Sequence, residues 1–238
     1  MRIADSRAAV LTQLWAEIES LRPENRILVA LDGFDGAGKS HLSRELADHA
    51  RRRSSRPVVR VSIDGFHRPK AERVAAGAGP EGFYSGSYRY DAFHACVVDG
   101  LRVHGSITPG VWDVDRDEAV NPAPIAVPPA GVVLVDGIFL QRPELAKVWD
   151  ATVWVHAPFE VSVPRGNARF PGNHDPDPEA PSNRRYVGGQ RLYLSAARPQ
   201  ERATWVWDNT ILEQPTYRRN GGVNGCGSRS GRGVTGTA

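Results

Sequence analysis

The stretch "RILVALDGFDGAGKSHLSREL", residues 26–46, determines how the chain around it folds. Residues 26–32 form a short, continuous apolar run bounded by turn residues, which is typical of a strand buried on both faces. The leucines after the glycines recur at helical spacing. Three glycines lie directly before Lys39 and Ser40, and glycine loses more conformational entropy on folding than any other residue. Such a cluster therefore requires a reason, either a tight turn or a ligand.

The glycines fit the pattern G-x-x-x-x-G-K-[S/T] between a predicted strand and a predicted helix. Glycines let consecutive backbone N–H groups converge on phosphate oxygens, and the following helix adds the positive end of its dipole. The alternative is a glycine-rich turn with an incidental lysine, but the complete pattern favours a triphosphate site. We expect this phosphate loop to bind ATP through all eight residues: Gly33, Phe34, Asp35, Gly36, Ala37, Gly38, Lys39 and Ser40.

Two side chains are expected to hold a magnesium ion beside the phosphates. The Ser40 hydroxyl can ligate Mg²⁺, while Lys39 can reach the β- and γ-phosphates. Asp136 follows the apolar run "VVLV", at the carboxyl end of a strand, where open α/β sheets bind ligands. We predict that Ser40 and Asp136 form the metal site, Asp136 through a bound water. The alternative is that Asp136 only turns the chain before Gly137.

Asp64 occupies the equivalent place on the preceding strand, in "SIDGFHRPK". A carboxylate there would face the γ-phosphate. It could accept the proton of an attacking hydroxyl, or orient that hydroxyl, as phosphoryl transfer requires. The alternative is a turn aspartate that precedes Gly65.

Further apolar runs alternate with helical patterns along the chain. Strands that alternate with helices favour a parallel sheet covered on both faces, so the class is α/β with a five-stranded sheet. An amphipathic helix is expected over residues 5–22, before the first strand. The four other predicted strands are residues 57–64, 131–137, 151–157 and 203–209.

Two regions depart from this alternation. Residues 65–130 are rich in glycine, proline and aromatic residues, with one helix predicted near 90–102; such an insert builds a substrate pocket or lid, or is a decorative excursion. Residues 216–238 form a predicted disordered tail, because their last part has almost no large apolar side chains. One domain is therefore expected over residues 1–215.

Composition excludes several classes of protein. The chain of 238 residues is 40% hydrophobic, enough for a real core, and its formal charge of +3 does not imply a nucleic-acid partner. The arginines at 51–53 could form a polyanion patch, but closing a helix is the favoured interpretation. No run of 18 apolar residues and no signal peptide is present, so no membrane partner is expected. Cys96 and Cys226 lie far apart, which predicts a reducing, cytoplasmic setting without a disulfide.

The chain resembles the uridine kinase-like P-loop kinases, a group that includes phosphoribulokinase and bacterial pantothenate kinase. The resemblance covers about residues 25–212. It implies ATP-dependent transfer of the γ-phosphoryl group to a hydroxyl of a small molecule, on a P-loop NTPase fold with a mobile lid. Five motifs carry it in order: "GFDGAGKS" (33–40), "VSIDGFHRP" (61–69), "EGFY" (81–84), "VVLVDGIFLQRPEL" (132–145) and "NRRYVGGQRLY" (183–193).

The same resemblance implies catalytic roles. Asp64 matches the catalytic acid after the second strand, and Lys39 matches the phosphate-binding lysine. Arg165 and Arg169 match arginines at the start of a lid over residues 165–185, where cations bind ATP and stabilise the transferring group. Solvated helix arginines are the alternative. Arg184 and Arg185, after the polar loop, are weaker candidates for the lid. Relatives commonly have an acid directly after the lid arginine, whereas Phe170 and Pro171 follow Arg169 here.

The acceptor is expected to be a nucleoside or a similar hydroxyl compound, bound between Asp64 and the insert. Each aromatic candidate can also be explained by core packing, and His67 by an ordinary hydrogen bond. An acceptor-free ATPase and a nucleotide-binding module without chemistry are the alternative functions; the guanine-reading pattern N-K-x-D does not occur. A homodimer is a possible assembly. The predicted acceptor-binding residues are Asp64, Phe66, His67, Tyr84, Trp112 and Asp113.

Overall fold

A computed structural model describes residues 6–54, 56–170, 172 and 174–221. The strands are β1 (Ile27–Gly33), β2 (Val58–Ser62), β3 (Ser106–Ile107), β4 (Trp112–Asp113), β5 (Glu118–Ala119), β6 (Ile125–Ala126), β7 (Val132–Gly137), β8 (Ala151–His156), β9 (Trp205–Asp208) and β10 (Thr216–Arg219). The α-helices are α1 (Arg7–Glu19), α2 (Lys39–Arg53), α3 (Lys70–Ala75), α4 (Pro80–Gly86), α5 (Tyr90–Phe93), α6 (Phe159–Asn167), α7 (Arg184–Ala197) and α8 (Pro199–Arg202).

The central sheet has the strand order β10-β9-β8-β1-β7-β2. The strands from β9 to β2 in this order are all parallel, which confirms the five predicted strands. The sheet has a sixth strand, β10, which pairs antiparallel with β9. This corrects the predicted tail: residues 216–219 belong to the sheet, while residues 222–238 lie outside the described part of the chain. The ladder to β9 and the Tyr217 ring, packed against the core, hold this strand in place.

Strand register brings three aspartates to one edge of the sheet. Asp136 of β7 lies beside Leu31 on one side and Ser62 on the other. Asp32 is the next residue of β1, and Asp64 lies two residues beyond Ser62. Because parallel strands end at the same edge, the ends of β1, β2 and β7 meet where this fold class binds ligands.

Helices cover both faces of the sheet, so β1 and β7 are buried along their whole lengths. The predicted first helix is present as α1, which begins at the N-cap Ser6 and buries Leu14 and Ile18. The arginines at 51–53 form the last turn of α2, as the helix-closing interpretation expects. Among the described residues, none of the helices combines the length and the apolar composition that crossing a bilayer requires.

The insert is built from short elements packed around the turn that carries Asp64. The predicted helix near 90–102 is present as α5, which continues into a π-helical segment, His94–His104. Strands β4 and β5 form a small antiparallel hairpin. This hairpin is attached to the Asp64 turn, because the Val111 N–H donates to the Gly65 carbonyl at 2.8 Å.

Candidate active site

The phosphate loop packs tightly against two neighbouring segments of the chain. Gly36 and Gly38 have φ values of +74° and +96°, in the left-handed region that favours glycine. A Cβ at Gly36 would lie 2.0 Å from the Ser162 carbonyl oxygen, and one at Gly38 would lie 2.4 Å from Asn209 Nδ2. The glycines of the motif are therefore required both for the loop conformation and for packing against α6 and the segment after β9.

Lys39 is enclosed by this loop, with a relative exposure of 7%. Its Nζ donates to the Phe34 carbonyl oxygen at 2.6 Å. Burial lowers the pKa of Lys39, and the negative charges around it act in the opposite direction. These charges belong to Asp35, Asp32, Asp64 and Asp136. Lys39 is therefore held inside the loop by a backbone carbonyl, with four carboxylates around its ammonium group.

The predicted metal residues are in direct contact. Ser40 Oγ donates to Asp136 Oδ2 at 2.5 Å, and Asp136 is buried. Arg60 lies 3.8 Å from the other carboxylate oxygen of Asp136. A hydroxyl and a carboxylate are oxygen ligands of the kind that Mg²⁺ prefers, and Mg²⁺ commonly takes its other ligands from phosphates and water. In the part of the chain that the structure describes, no group of three or more His, Cys, Asp or Glu side chains could hold a metal ion.

Asp64 lies in the 3₁₀ turn that follows β2, and 59% of its side chain is exposed. Tyr88 Oη donates to Asp64 Oδ1 at 3.0 Å, and His67 Nε2 lies 3.4 Å from the same oxygen. Desolvation raises the pKa of Asp64, but hydrogen bonding to His67 and Tyr88 and the charge of Lys39 outweigh it, so the pKa is lowered. Asp64 is an ionised, oriented carboxylate beside the phosphate loop.

A third strand-end aspartate, Asp32, was missed in the sequence. It is completely buried at the end of β1. Burial raises the pKa of Asp32, against hydrogen bonds from Tyr193, Gln141 and the Leu140 N–H and the charge of Lys39. The signal for it was present, because Asp32-Gly33 repeats the strand-end Asp-Gly pair of the other two aspartates.

Helix α7 supports the loop through two side chains one turn apart. Gln190 Oε1 accepts from the Asp35 N–H at 2.7 Å, and Tyr193 Oη donates to Asp32 Oδ2. The Gln141 N–H in turn donates to Tyr193 Oη at 2.8 Å. Both α7 residues lie in the motif "NRRYVGGQRLY", whose spacing gives them one helical face. Sequence reasoning found the motif but not this role.

The predicted lid arginines have different partners. Arg165 donates to the carbonyls of Asn209 and Thr210 at 2.9 and 2.8 Å. Asn209 also contacts the phosphate loop, because its Nδ2 donates to the Ala37 carbonyl at 2.7 Å, so the role of Arg165 at ATP stays a prediction. Arg169 forms an exposed ion pair with Asp35 of the loop and so lies at the site. Arg185 donates to the Gly77 carbonyl.

Arg184 is exposed. Cys96 has a free thiol, whereas Cys226 lies outside the described residues. Neither Arg184 nor Cys96 is part of the cluster formed by the three strand-end aspartates and Lys39.

One predicted acceptor-binding residue belongs to the core. Phe66 is completely buried and packs edge-on against Phe93, with ring centroids 5.3 Å apart, so it cannot contact an acceptor. Tyr84 packs under the Arg142 guanidinium at 4.8 Å and is partly buried against the core. The core interpretation holds for Phe66, while the role of Tyr84 at an acceptor stays a prediction.

The side chains of Trp112 and Asp113 form hydrogen bonds within their own hairpin. Asp113 Oδ1 accepts from the N–H groups of Asp115 and Arg116, both at 3.0 Å. Trp112 Nε1 donates to Asp117 at 3.3 Å, and the Trp112 side chain is partly exposed. The hairpin is adjacent to Asp64 through Gly65, so Trp112 stays a candidate wall of an acceptor site, whereas the Asp113 carboxylate is used locally.

A cavity of about 330 Å³ opens between α6 and α7 and reaches the phosphate loop at Asp35. Asn167, Asn183 and Tyr186 contribute polar groups to its wall. Ser162 also lines it, and the buried Ser162 hydroxyl has no hydrogen-bond partner among the described residues. Its wall mixes apolar surface with amide and hydroxyl groups, as ligand sites commonly do.

No family model matches the sequence. Among solved structures, the chain is similar to a possible uridine kinase from Bacillus stearothermophilus, with a TM-score of 0.67, 18% identity, and coverage of 84% of this chain and 97% of that one. It is also similar to a Silicibacter sp. TM1040 protein provisionally assigned as a fructose transport system kinase, with a TM-score of 0.65, 24% identity, and coverage of 79% and 95%.

A third similar structure is the D-glycerate 3-kinase from Cryptococcus neoformans, with a TM-score of 0.56, 12% identity, and coverage of 89% of this chain and 97% of that one. At these identities the similarity concerns the fold. The expected α/β fold with a phosphate loop is confirmed, with six strands in place of five. The chain has the fold of the uridine kinase-like P-loop kinases.

Proposed function

We propose that this protein is an ATP-dependent kinase that transfers the γ-phosphoryl group to a hydroxyl of a small molecule. One observation carries the proposal: an exposed, ionised carboxylate, Asp64, is held beside the buried lysine of a phosphate loop. A module that only bound nucleotide, without chemistry, would have no need for such a carboxylate.

The roles follow from the positions of the side chains. The loop amides and Lys39 bind the phosphates, and Ser40 with Asp136 would hold Mg²⁺. A bound Mg²⁺ neutralises charge on the phosphate oxygens. Asp64 receives the acceptor hydroxyl and aligns its oxygen with the γ-phosphorus. Each well-placed charge contributes about 3 kcal/mol to lowering the barrier, which is the size of effect that a mutation should reveal.

We further propose that the acceptor is nucleoside-like. The solved structures of similar fold include proteins named as kinases of uridine and of glycerate, and both of these compounds carry hydroxyl groups. The partly exposed Trp112, on the hairpin attached to the Asp64 turn, offers a surface for a planar ring. A cytoplasmic location, a homodimer and a moving lid stay predictions from the sequence.

The decisive experiment is a coupled ADP-release screen over nucleosides, vitamins and sugar derivatives, followed by phosphorus NMR of the product. In Asp64→Asn, we expect phosphoryl transfer to fall by about 10³-fold, since a positioned acid–base group typically contributes 10²–10⁴-fold. ATP affinity should stay nearly intact, because the phosphate-binding groups are unchanged. Asp91→Asn, a change at an exposed aspartate of the insert, serves as the control.

Two results would contradict the proposal. Saturating ATP hydrolysis that no acceptor stimulates would support an ATPase. Unchanged turnover in Asp64→Asn would remove Asp64 from the reaction.

A further inference from the structure

Asn209 follows β9 directly and is completely buried against the phosphate loop. Its side-chain Nδ2 donates to the Ala37 carbonyl oxygen at 2.7 Å. A Cβ at Gly38 would lie 2.4 Å from the same nitrogen, so the amide is also packed against the next residue of the loop. The Asn209 amide therefore supports the peptide that joins Ala37 to Gly38, immediately before Lys39.

This contact determines the direction of one backbone amide of the loop. A peptide group is planar and trans, so the Ala37 carbonyl and the Gly38 N–H point to opposite sides. Among the described residues, none accepts a hydrogen bond from the Gly38 N–H. Loop amides without a protein acceptor are the donors that phosphate oxygens bind. Because Asn209 holds the carbonyl on one side of the peptide, the Gly38 N–H is left on the other side as a donor for a phosphate oxygen.

The orientation of the Asn209 amide is set by two donors on its oxygen. Oδ1 accepts from Arg7 at 3.0 Å and from Trp207 Nε1 at 3.3 Å. Only the oxygen of a side-chain amide accepts hydrogen bonds, so donors on this side leave Nδ2 to face the loop. Turning the amide over would place Oδ1 against the Ala37 carbonyl oxygen, with no hydrogen between the two acceptors.

Arg7 is the first residue of α1, and its guanidinium connects that helix to the site. Nη1 donates both to Asn209 and to the Leu212 carbonyl, the latter at 2.8 Å. Nη2 forms an ion pair with Glu45 of α2 at 2.6 Å, and only 18% of the Arg7 side chain is exposed. A planar guanidinium has five donors in a fixed geometry, so one arginine can serve a carboxylate, an amide and a carbonyl together.

We propose that Asn209 is a positioning residue for the phosphate loop, that Arg7 sets its orientation, and that the N-terminal helix is thereby part of the nucleotide site. The inference rests on the nucleotide-binding part of the proposed function and deepens it. Neither side chain needs to touch ATP. Asn209 acts through the Ala37 peptide, and Arg7 acts through Asn209.

The first test measures the ATP dissociation constant by titration calorimetry, at a temperature where urea titrations show that every variant is folded. Asn209→Ala leaves the Ala37 carbonyl without its donor and should weaken ATP binding about tenfold or more. Arg7→Gln is the milder variant and should weaken ATP binding about fivefold, the effect of one hydrogen bond. The KM for an acceptor found in the screen should not change in either variant.

Two matched controls separate positioning from stability. Arg56 is a second buried arginine bound to α1, but it donates to the Glu19 and Leu21 carbonyls at the other end of that helix. Asn220 is a second asparagine whose Nδ2 donates to a backbone carbonyl, that of Ala203, before β9 begins. Arg56→Gln and Asn220→Ala should lower stability and leave ATP affinity unchanged. Equal losses of ATP affinity in the controls would overturn the inference.

The second test is whether Arg7 acts through Asn209. In the Asn209→Ala background, Arg7→Gln should not weaken ATP binding further, because the amide that Arg7 orients is absent. Fully additive losses of binding free energy would overturn the proposed route from Arg7 to the loop.

The results distinguish failure of this inference from failure of the proposed function. If the wild type binds no ATP, the proposed function fails and the inference fails with it. If the wild type binds ATP and folded Asn209→Ala binds it equally well, only the inference is overturned.

Discussion

The ends of β1 and β2 carry the same dipeptide in opposite environments. Asp32-Gly33 ends β1, and Asp64-Gly65 follows β2. Asp32 is completely buried, and burial raises its pKa, whereas the exposed Asp64 has a lowered pKa set by His67, Tyr88 and Lys39. The difference is that Asp32 is enclosed at the base of the phosphate loop, whereas Asp64 is an ionised carboxylate open to solvent.

The position of each strand in the sheet explains this difference. β1 is central, between β7 and β8, and α7 covers its end through Tyr193. β2 is the last strand on its side of the sheet, and the insert packed around its end leaves 59% of the Asp64 side chain exposed. The end of central β1 is covered by α7, while the end of β2 is only partly covered by the insert.

The largest expected effect is at the closed end of β1. Gly36→Ala would place a methyl group 2.0 Å from the Ser162 carbonyl oxygen at a left-handed φ, so strain and overpacking together should lower the free energy of unfolding by about 3–5 kcal/mol. Urea unfolding measures this loss. Gly77→Ala is the control: its φ is +108° but nothing lies within 4 Å, so about 1 kcal/mol is expected. Equal losses in the two variants would mean that the loop is not closed against α6.

Two tyrosine substitutions, one at each strand end, are expected to have effects of intermediate size. Tyr193→Phe removes a donor from a completely buried carboxylate and should cost about 1–3 kcal/mol of stability. Tyr88→Phe removes the donor to Asp64, which water can replace, so a stability loss of about 1 kcal/mol or less is expected. Turnover should respond in the reverse order. Equal stability losses in denaturant titrations would contradict the distinction between the two strand ends.

The smallest expected effect is on the pH dependence of stability, which should have opposite signs for Asp32 and Asp64. The folded pKa of Asp32 is raised, so its ionisation costs stability as pH rises above about 3.8, its unfolded value. The folded pKa of Asp64 is lowered, so its contribution is present above about 3.8 and is lost as pH falls through the folded value. Stability differences of Asp32→Asn and Asp64→Asn from the wild type, measured between pH 3 and 7, should therefore slope in opposite directions. Parallel slopes would show that the two carboxylates share one environment.

Much of the fold could be predicted because its signals are local. Each of the five parallel strands is an apolar run. The phosphate loop is a contiguous pattern whose glycines are required by its backbone conformation. The contact of Ser40 with Asp136 was also predictable, since parallel strands end at one edge. Strand β10 was not, because four largely exposed residues carry no apolar periodicity and are held by pairing to β9.

The parts of the site that could not be predicted depend on partners distant in sequence. The hydrogen-bond partners of Arg165 are backbone carbonyls more than forty residues away, which the sequence does not reveal. Phe66 lies in a motif beside Asp64, yet packing against Phe93 removes it from the surface. Gln190 reaches a loop amide across 155 positions of the chain.

The sequence by itself determined the parallel sheet, the phosphate loop and the strand-end positions of Asp64 and Asp136, because hydrophobic period, glycine conformation and strand polarity act over a few residues. Only the tertiary structure decided which aspartate is buried, which arginine pairs with Asp35 and which tyrosine supports which carboxylate. Burial and hydrogen-bond partners set these outcomes, and both arise when elements far apart in the chain pack together.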